Sequence, residues 1–258
     1  MKQQGVIIQS VNRALQILDC FSGPITELGI TELATRMELG KSTIYGLVNT
    51  LLVSGYLEQN PENKRYHLGL KLFEMGSLVQ SRMNIREIAK PFLKELSDKF
   101  QMTVHMGIYR DGEVVYIDKM DSPNTRIVYS QVGKRAPMYC TGIGKAIFAY
   151  MSETEIEHLL MTQDRQLFTQ YTLVEAEKII EELNQIKKQG YAVDNEEVEL
   201  GLRCVAVPIF DYQAKPIAAI SISSSIAILN EERMRDISLE ICKVALDISN
   251  KLGYNEKK

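Results

Sequence analysis

An α+β protein built from two units is predicted for this chain, on three observations. Residues 29–68 read as two short helices, a tight turn and a small hairpin. Residues 103–120 switch to a period of two around Asp111-Gly112, a strong hairpin signal. Capped helices then flank further antiparallel strands as far as residue 252, which segregates helices against a sheet.

Taken in order, the first helix passes through Val11, Ala14, Leu15, Ile17 and Leu18, with Ser10 as its expected cap, Arg13 on its exposed side and Ser22-Gly23-Pro24 as its stop. Ile30, Leu33, Ala34 and Met37 form the apolar stripe of a short second helix, for which Thr31 is the expected cap. The third helix is strongly amphipathic. Ile44, Leu47, Val48, Leu51 and Leu52 share one face, and Lys41, Ser42, Thr43, Tyr45, Asn49 and Thr50 occupy the other. Those polar groups suit phosphates and base edges, so the pair matches a helix-turn-helix whose second helix enters the major groove. Residues 56–68 then make a hairpin turning at Asn60-Pro61-Glu62-Asn63, a wing that carries Lys64 and Arg65 toward a phosphate backbone.

Residues 69–82 read as a linker helix, which divides the chain into 1–68, 69–82 and 83–258. The next helix is expected to open with a capping box at Asn84 and to kink at Pro91. Strands are predicted at Thr103–Tyr109, Val114–Met120 and near Arg126–Ser130. A helix follows Thr141-Gly142-Ile143-Gly144-Lys145, and Ser152-x-x-Glu155 and Thr172-x-x-Glu175 both read as capping boxes of further helices. The second of these closes on Lys187-Lys188-Gln189-Gly190. An extended stretch at 191–193, paired strands at Cys204–Phe210 and Ile217–Ser223, and a last helix from Asn230 to Leu252 complete the chain.

Composition narrows the function classes. At 258 residues, 45% hydrophobic and 24% charged, the chain has the make-up of a globular protein large enough for two domains. It has neither an eighteen-residue apolar run nor a secretory signal, so no membrane association and a cytoplasmic location are expected. Cys20, Cys140, Cys204 and Cys242 lack CxxC spacing and read as thiols. His67, His105 and His158 are isolated, so no metal and no cofactor are expected. Net charge is −3, and in residues 1–66 the cations Lys2, Arg13, Arg36, Lys41, Lys64 and Arg65 are matched by as many carboxylates. Affinity for DNA would therefore need basic groups gathered on one surface and two copies side by side.

Over nearly its full length the chain resembles the IclR family of bacterial transcription regulators. The resemblance is carried by Val11-Asn12-Arg13-Ala14-Leu15, Lys41-Ser42-Thr43, Gly55-Tyr56-Leu57, Thr141-Gly142-Ile143-Gly144-Lys145-Ala146, Gly190-Tyr191-Ala192-Val193-Asp194 and Gly201-Leu202-Arg203-Cys204. It implies an N-terminal winged helix-turn-helix, a C-terminal GAF-like α/β effector-binding domain, and dimers or tetramers on palindromic operators in double-stranded DNA. It also implies that Gly142, Ile143, Asp194, Cys204, Ser221 and Ser223 line an effector site. A ligand-responsive regulator, expected to be a repressor, is the function implied. Helix-start amides and a row of serines suit a small carboxylate such as an organic or aromatic acid. Asp194 beside such an anion requires a shared proton or a water bridge.

Other readings stay open on the residues alone. Gly142 and Gly144 also serve a helix packed closely on a strand, and Cys204 a small buried hydrophobe. Cys204 with His105 as base would make a cysteine-dependent enzyme, although no motif joins them. The helix pair could also serve protein contact without DNA. Many relatives carry a basic residue where this chain has Gly46, so Tyr45 and Asn49 are expected to carry more of the base reading.

Overall fold

The computed structural model describes residues 6–21, 26–80, 84–121 and 131–255. The chain divides into two compact units, 1–83 and 84–258.

In the first unit α1 (Gln9–Asp19), α2 (Ile30–Met37) and α3 (Lys41–Val53) precede a hairpin of β1 (Leu57–Gln59) and β2 (Tyr66–Leu68) and then α4 (Leu70–Gln80). The apolar stripes meet in one core of Ile17, Phe21, Leu28, Leu33, Ala34, Ile44, Val48, Leu51, Leu57 and Tyr66. Leu57 pairs with Leu68 and Gln59 with Tyr66, while Leu28 bridges the outer side of Tyr66. Two expected caps are displaced. α1 begins at Gln9 behind Ile8, without a side-chain cap, so Ser10 already lies inside the helix. α2 begins behind Gly29, whose N–H donates to the Glu32 carboxylate at 2.7 Å, so Thr31 is an internal residue. The expected stop at Ser22-Gly23-Pro24 lies outside the described residues.

The second unit opens with α5 (Asn84–Phe100), which runs unbroken through Pro91, and Asn84 belongs to its first turn. Here Pro91 does not end the helix. β3 (Thr103–Arg110) and β4 (Glu113–Met120) follow, joined by Asp111 and Gly112 at φ 50° and 90°. Positive φ at both central residues is what a two-residue hairpin of the right twist requires. The expected strand near 126–130 lies outside the described residues, whereas β5 (Arg135–Pro137) was not foreseen. α6 (Gly142–Phe148), α7 (Glu153–Thr162), α8 (Ala176–Gln189), β6 (Ala192–Asn195), β7 (Leu202–Phe210), β8 (Pro216–Ser225) and α9 (Glu231–Lys251) complete the unit.

These strands form one antiparallel sheet in the order β5-β4-β3-β8-β7-β6. α5 and α9 pack together and on β3, β4, β7 and β8, while α6 lies on the sheet with α8 against it. The capping box at Ser152 forms as expected: its hydroxyl accepts from Glu155 N–H, and Glu155 accepts from Ser152 N–H. That at Thr172 does not, because α8 starts later, behind Glu175. Instead the Thr172 hydroxyl donates to the Glu197 carbonyl and accepts from the Phe168 and Thr169 amides.

Strand periodicity decides which side chains lie beneath α6. Val104, Met106, Val205, Ile220 and Ile222 alternate with His105, Gly107, Cys204, Ala206, Ala219, Ser221 and Ser223. The second set faces α6, small residues under the helix body and polar ones beyond its start. A Cβ on Gly107 would come within 3.0 Å of Ile143, so the bare backbone there lets α6 settle on the sheet.

Candidate functional site

On the first unit the polar face of α3 is open. Lys41, Ser42, Thr43, Tyr45, Gly46 and Asn49 are exposed, while Ile44, Val48 and Leu51 are buried. The N-cap is Gly40 and no side chain caps the helix. The first-turn amides, which lack intrahelical acceptors, therefore point outward where the helix dipole favours an anion. The Thr50 hydroxyl turns back to the Gly46 carbonyl at 2.9 Å.

The two wing cations differ. Lys64 is exposed and left-handed, at φ 59°. The Arg65 guanidinium donates to the Glu27 carbonyl at 3.0 Å and pairs with the Glu32 carboxylate at 2.8 Å. Asn60 and Asn63 also donate to the Glu27 carboxylate, which binds the wing turn to the segment ahead of α2. The geometry thus gives Arg65 a structural task that sequence reasoning had assigned to DNA. Arg13 is half-buried and lies on α1 rather than on α3.

In the second unit a cavity of about 250 Å³ opens beside the start of α6. Gly142, Ile143, Asp194, Cys204, Ser221 and Ser223 all line it, so the sheet brings together every residue expected there. Strand register explains the convergence: Asp194 pairs with Cys204, Cys204 with Ser223, and Ser221 with His105 across four neighbouring strands. Thr141 caps α6, accepting from Gly144 N–H at 3.0 Å and donating to the Pro137 carbonyl at 2.7 Å. That leaves the Gly142 and Ile143 amides at the cavity wall without an intrahelical acceptor. The close packing considered for the two glycines is visible in the geometry. A Cβ on Gly142 would meet Ala206 and Cys204 at 3.3 and 3.4 Å, and one on Gly144 would meet the Met138 carbonyl oxygen at 2.5 Å.

Burial sets the charge states. The Ser223 hydroxyl donates to the Cys204 sulfur at 3.0 Å. Burial, with Asp194 beside it, pushes the Cys204 thiol up, so it stays protonated. His105 stands tilted on the Tyr116 ring at 5.6 Å, and burial, reinforced by the Lys119 charge, pulls its pKa down to about 4. Asp194 is raised by burial to about 6, against the opposing pull of Lys145 and of the Glu197 and Val198 amides.

Sequence reasoning missed the deepest charges. Lys145 is buried, paired with Glu182 at 3.0 Å and with Glu197. Burial also lifts the Glu197 carboxyl to about 7 despite that pair. Cavity residues absent from the expectation include Tyr116, Phe168, Val198 and Leu202, with Lys134, Arg135 and Glu199 adding charge. The visible signal was Lys145 itself, a lysine set among Ile143, Ala146, Ile147 and Phe148 in a helix buried on every side. Among the described residues no group of His, Cys, Asp and Glu could hold a metal ion. Nor is any helix of the described residues long and apolar enough to cross a membrane.

Comparison with known proteins places this architecture. The IclR helix-turn-helix domain model matches residues 10–61, and the bacterial transcriptional regulator IclR C-terminal model matches 77–250. The chain is 42% identical over 248 residues to the HTH-type transcriptional regulator XynR of Escherichia coli (strain K12), covering 96% of this chain and 98% of that protein. The crystal structure of the Thermotoga maritima IclR superposes with a TM-score of 0.79 at 34% identity, over 95% of this chain and 99% of that one. An IclR homologue from Microbacterium hydrocarbonoxydans, complexed with 4-hydroxybenzoate, shares the fold with a TM-score of 0.83 at 19% identity, over 94% and 98% of the two chains. With a helix-turn-helix unit, an effector-type α/β unit and relatives that regulate transcription, this chain belongs to the IclR family of DNA-binding transcriptional regulators.

Proposed function

We propose that this regulator represses its target genes by laying the exposed face of α3 in the major groove of a palindromic operator, and that a small carboxylate in the α6 cavity controls it. Lys41, Ser42 and Thr43 would meet phosphate, Tyr45 and Asn49 base edges, and Lys64 the backbone beside the wing. Arg13 and Arg65 contribute at the margin, Arg65 chiefly by holding the wing in place. The observation that carries the DNA reading is the clean division of α3 into a buried apolar face and an open polar one. Two copies are needed, because one unit has balanced charge and a short contact surface. The apolar side chains of α1 and α4 left exposed, among them Val11, Leu15, Phe73 and Leu78, support self-association as a dimer or tetramer.

The carboxylate reading rests on the amides of Gly142 and Ile143 converging with Ser221 and Ser223 on one cavity. The complex of the Microbacterium homologue with 4-hydroxybenzoate agrees with an acid of that size. Such a ligand acts only through different affinities for DNA-competent and incompetent arrangements. We read the site as binding rather than catalytic, because burial keeps the Cys204 thiol protonated and leaves His105, its pKa pulled down to about 4, a poor base for it. Footprinting of the full chain on its own upstream promoter region tests the proposal. A salt-sensitive protected palindrome, weakened by Asn49→Ala and by a bound carboxylate, is expected. Equal affinity for scrambled DNA removes it.

A further inference from the structure

We infer that an anionic ligand enters this cavity together with a proton, taken up by the buried carboxylates Asp194 and Glu197. The inference rests on the carboxylate reading above and concerns the charge state of the same site.

Around Lys145 stand three carboxylates, Glu182, Glu197 and Asp194, against one ammonium. Lys145 contacts the first two directly, and Asp194 accepts the Glu197 amide at 2.9 Å. The other groups facing Asp194 cannot neutralise it. Cys204 on β7, Tyr116 on β4 and Cys140 ahead of α6 are all pushed up and remain neutral. His105 on β3 is held uncharged beside Lys119. On the cavity wall, Arg135 is paired with Glu113 at 2.9 Å, and Lys134 and Glu199 both line the same cavity. One oxygen of Glu197, Oε2, is buried and has no hydrogen-bond partner among the described residues, so a proton has a place to sit.

A ligand carboxylate at the Gly142 and Ile143 amides lies against this cluster, because a Cβ at Gly142 would stand 3.9 Å from that of Asp194. Two carboxylates sharing one low-dielectric site raise the pKa of one of them strongly. Asp194 and Glu197, already lifted to about 6 and about 7, need only a modest further rise to hold a proton at neutral pH. Binding then draws up to one proton from solvent.

Isothermal titration of the full chain with pyruvate and with 4-hydroxybenzoate, in paired buffers of unlike ionisation enthalpy between about pH 5.5 and 8.5, reads that proton directly. The expected result is uptake of about half a proton to one proton at neutral pH, Glu197 being already partly protonated there, and an affinity that falls up to about tenfold per pH unit on the alkaline side. Asp194→Asn should reduce the uptake and flatten the pH profile. Because the paired-buffer measurement uses the unaltered protein, it decides even if that variant folds poorly. Binding with identical heats in both buffers and a flat profile overturns the inference and leaves the carboxylate reading intact. No binding of either probe at any pH removes the carboxylate reading and this inference with it.

Discussion

Replacing Gly144 by alanine should destabilise the second unit by several kcal/mol, whereas the same change at Gly142 should cost much less and act mainly on the cavity. A Cβ on Gly144 would lie 2.5 Å from the Met138 carbonyl oxygen, 2.5 Å from Thr141 Oγ1 and 2.7 Å from Met138 Cα. Two of these are backbone atoms, which cannot rotate aside. Moving Thr141 instead breaks its hydrogen bonds to Gly144 N–H and the Pro137 carbonyl. Overpacking of this kind costs about 1–3 kcal/mol, and each lost hydrogen bond about 1 kcal/mol. The sum is about 3–5 kcal/mol, or roughly 6–20 °C in melting temperature for a unit of this size. At Gly142 the added methyl meets the Cβ atoms of Ala206 and Cys204 at 3.3 and 3.4 Å, a much smaller overlap that calls for a shift of a few tenths of an ångström, so about 1 kcal/mol is expected. That methyl would stand between the helix start and the cavity floor and weaken ligand binding. Urea unfolding of both full-length variants, followed by circular dichroism, makes the comparison. A Gly144→Ala protein within about 0.5 kcal/mol of the parent, or two variants of equal stability, would refute the division of labour between these glycines.

Gly46 is exposed in the middle of α3 with open space where a Cβ would go, so Gly46→Ala should stabilise the first unit by about 1 kcal/mol in thermal unfolding. Lys64→Ala should leave stability unchanged and reduce the salt dependence of operator binding by about one phosphate contact. Arg65→Ala should instead loosen the wing, lowering the stability of the first unit in the same unfolding assay and weakening DNA binding without changing its sequence preference. Asp194 and Glu197 have folded pKa values raised to about 6 and about 7, so the folded state binds their protons more tightly than the unfolded chain. Their contribution is therefore fully present below the unfolded values and is lost as pH rises from about 4 through about 7. Asp194→Asn should remove part of that slope and stabilise the protein by about 2–3 kcal/mol near pH 8, measured by denaturation across pH; an unchanged slope counts against the buried carboxylate as its source.

What could be read from the sequence follows the range over which each interaction acts. The amphipathic stripe of α3, the Asp111-Gly112 hairpin and the Ser152 box are decided within a dozen residues and came through as expected. The same four-residue signature misled at Thr172, whose hydroxyl is claimed by the Glu197 carbonyl 25 residues away. A capping motif states what a side chain can do locally, and a tertiary partner overrides it. Pro91 misled for a related reason: propensity predicts a break, but the packing of α5 on β3 and β4 keeps the helix continuous. In the cavity, Ser221 and Ser223 could be put on one face by counting in twos, while their meeting with Asp194 depends on register across three strands. Lys145 was the least legible. Lysine is almost never fully buried unless paired, and its partners lie 37 and 52 residues along the chain. A buried pair adds little net stability over an apolar replacement, because desolvation offsets most of the attraction. Its effect is on the cavity: by pairing with Glu197 it fixes the segment whose amide donates to Asp194 on the cavity wall.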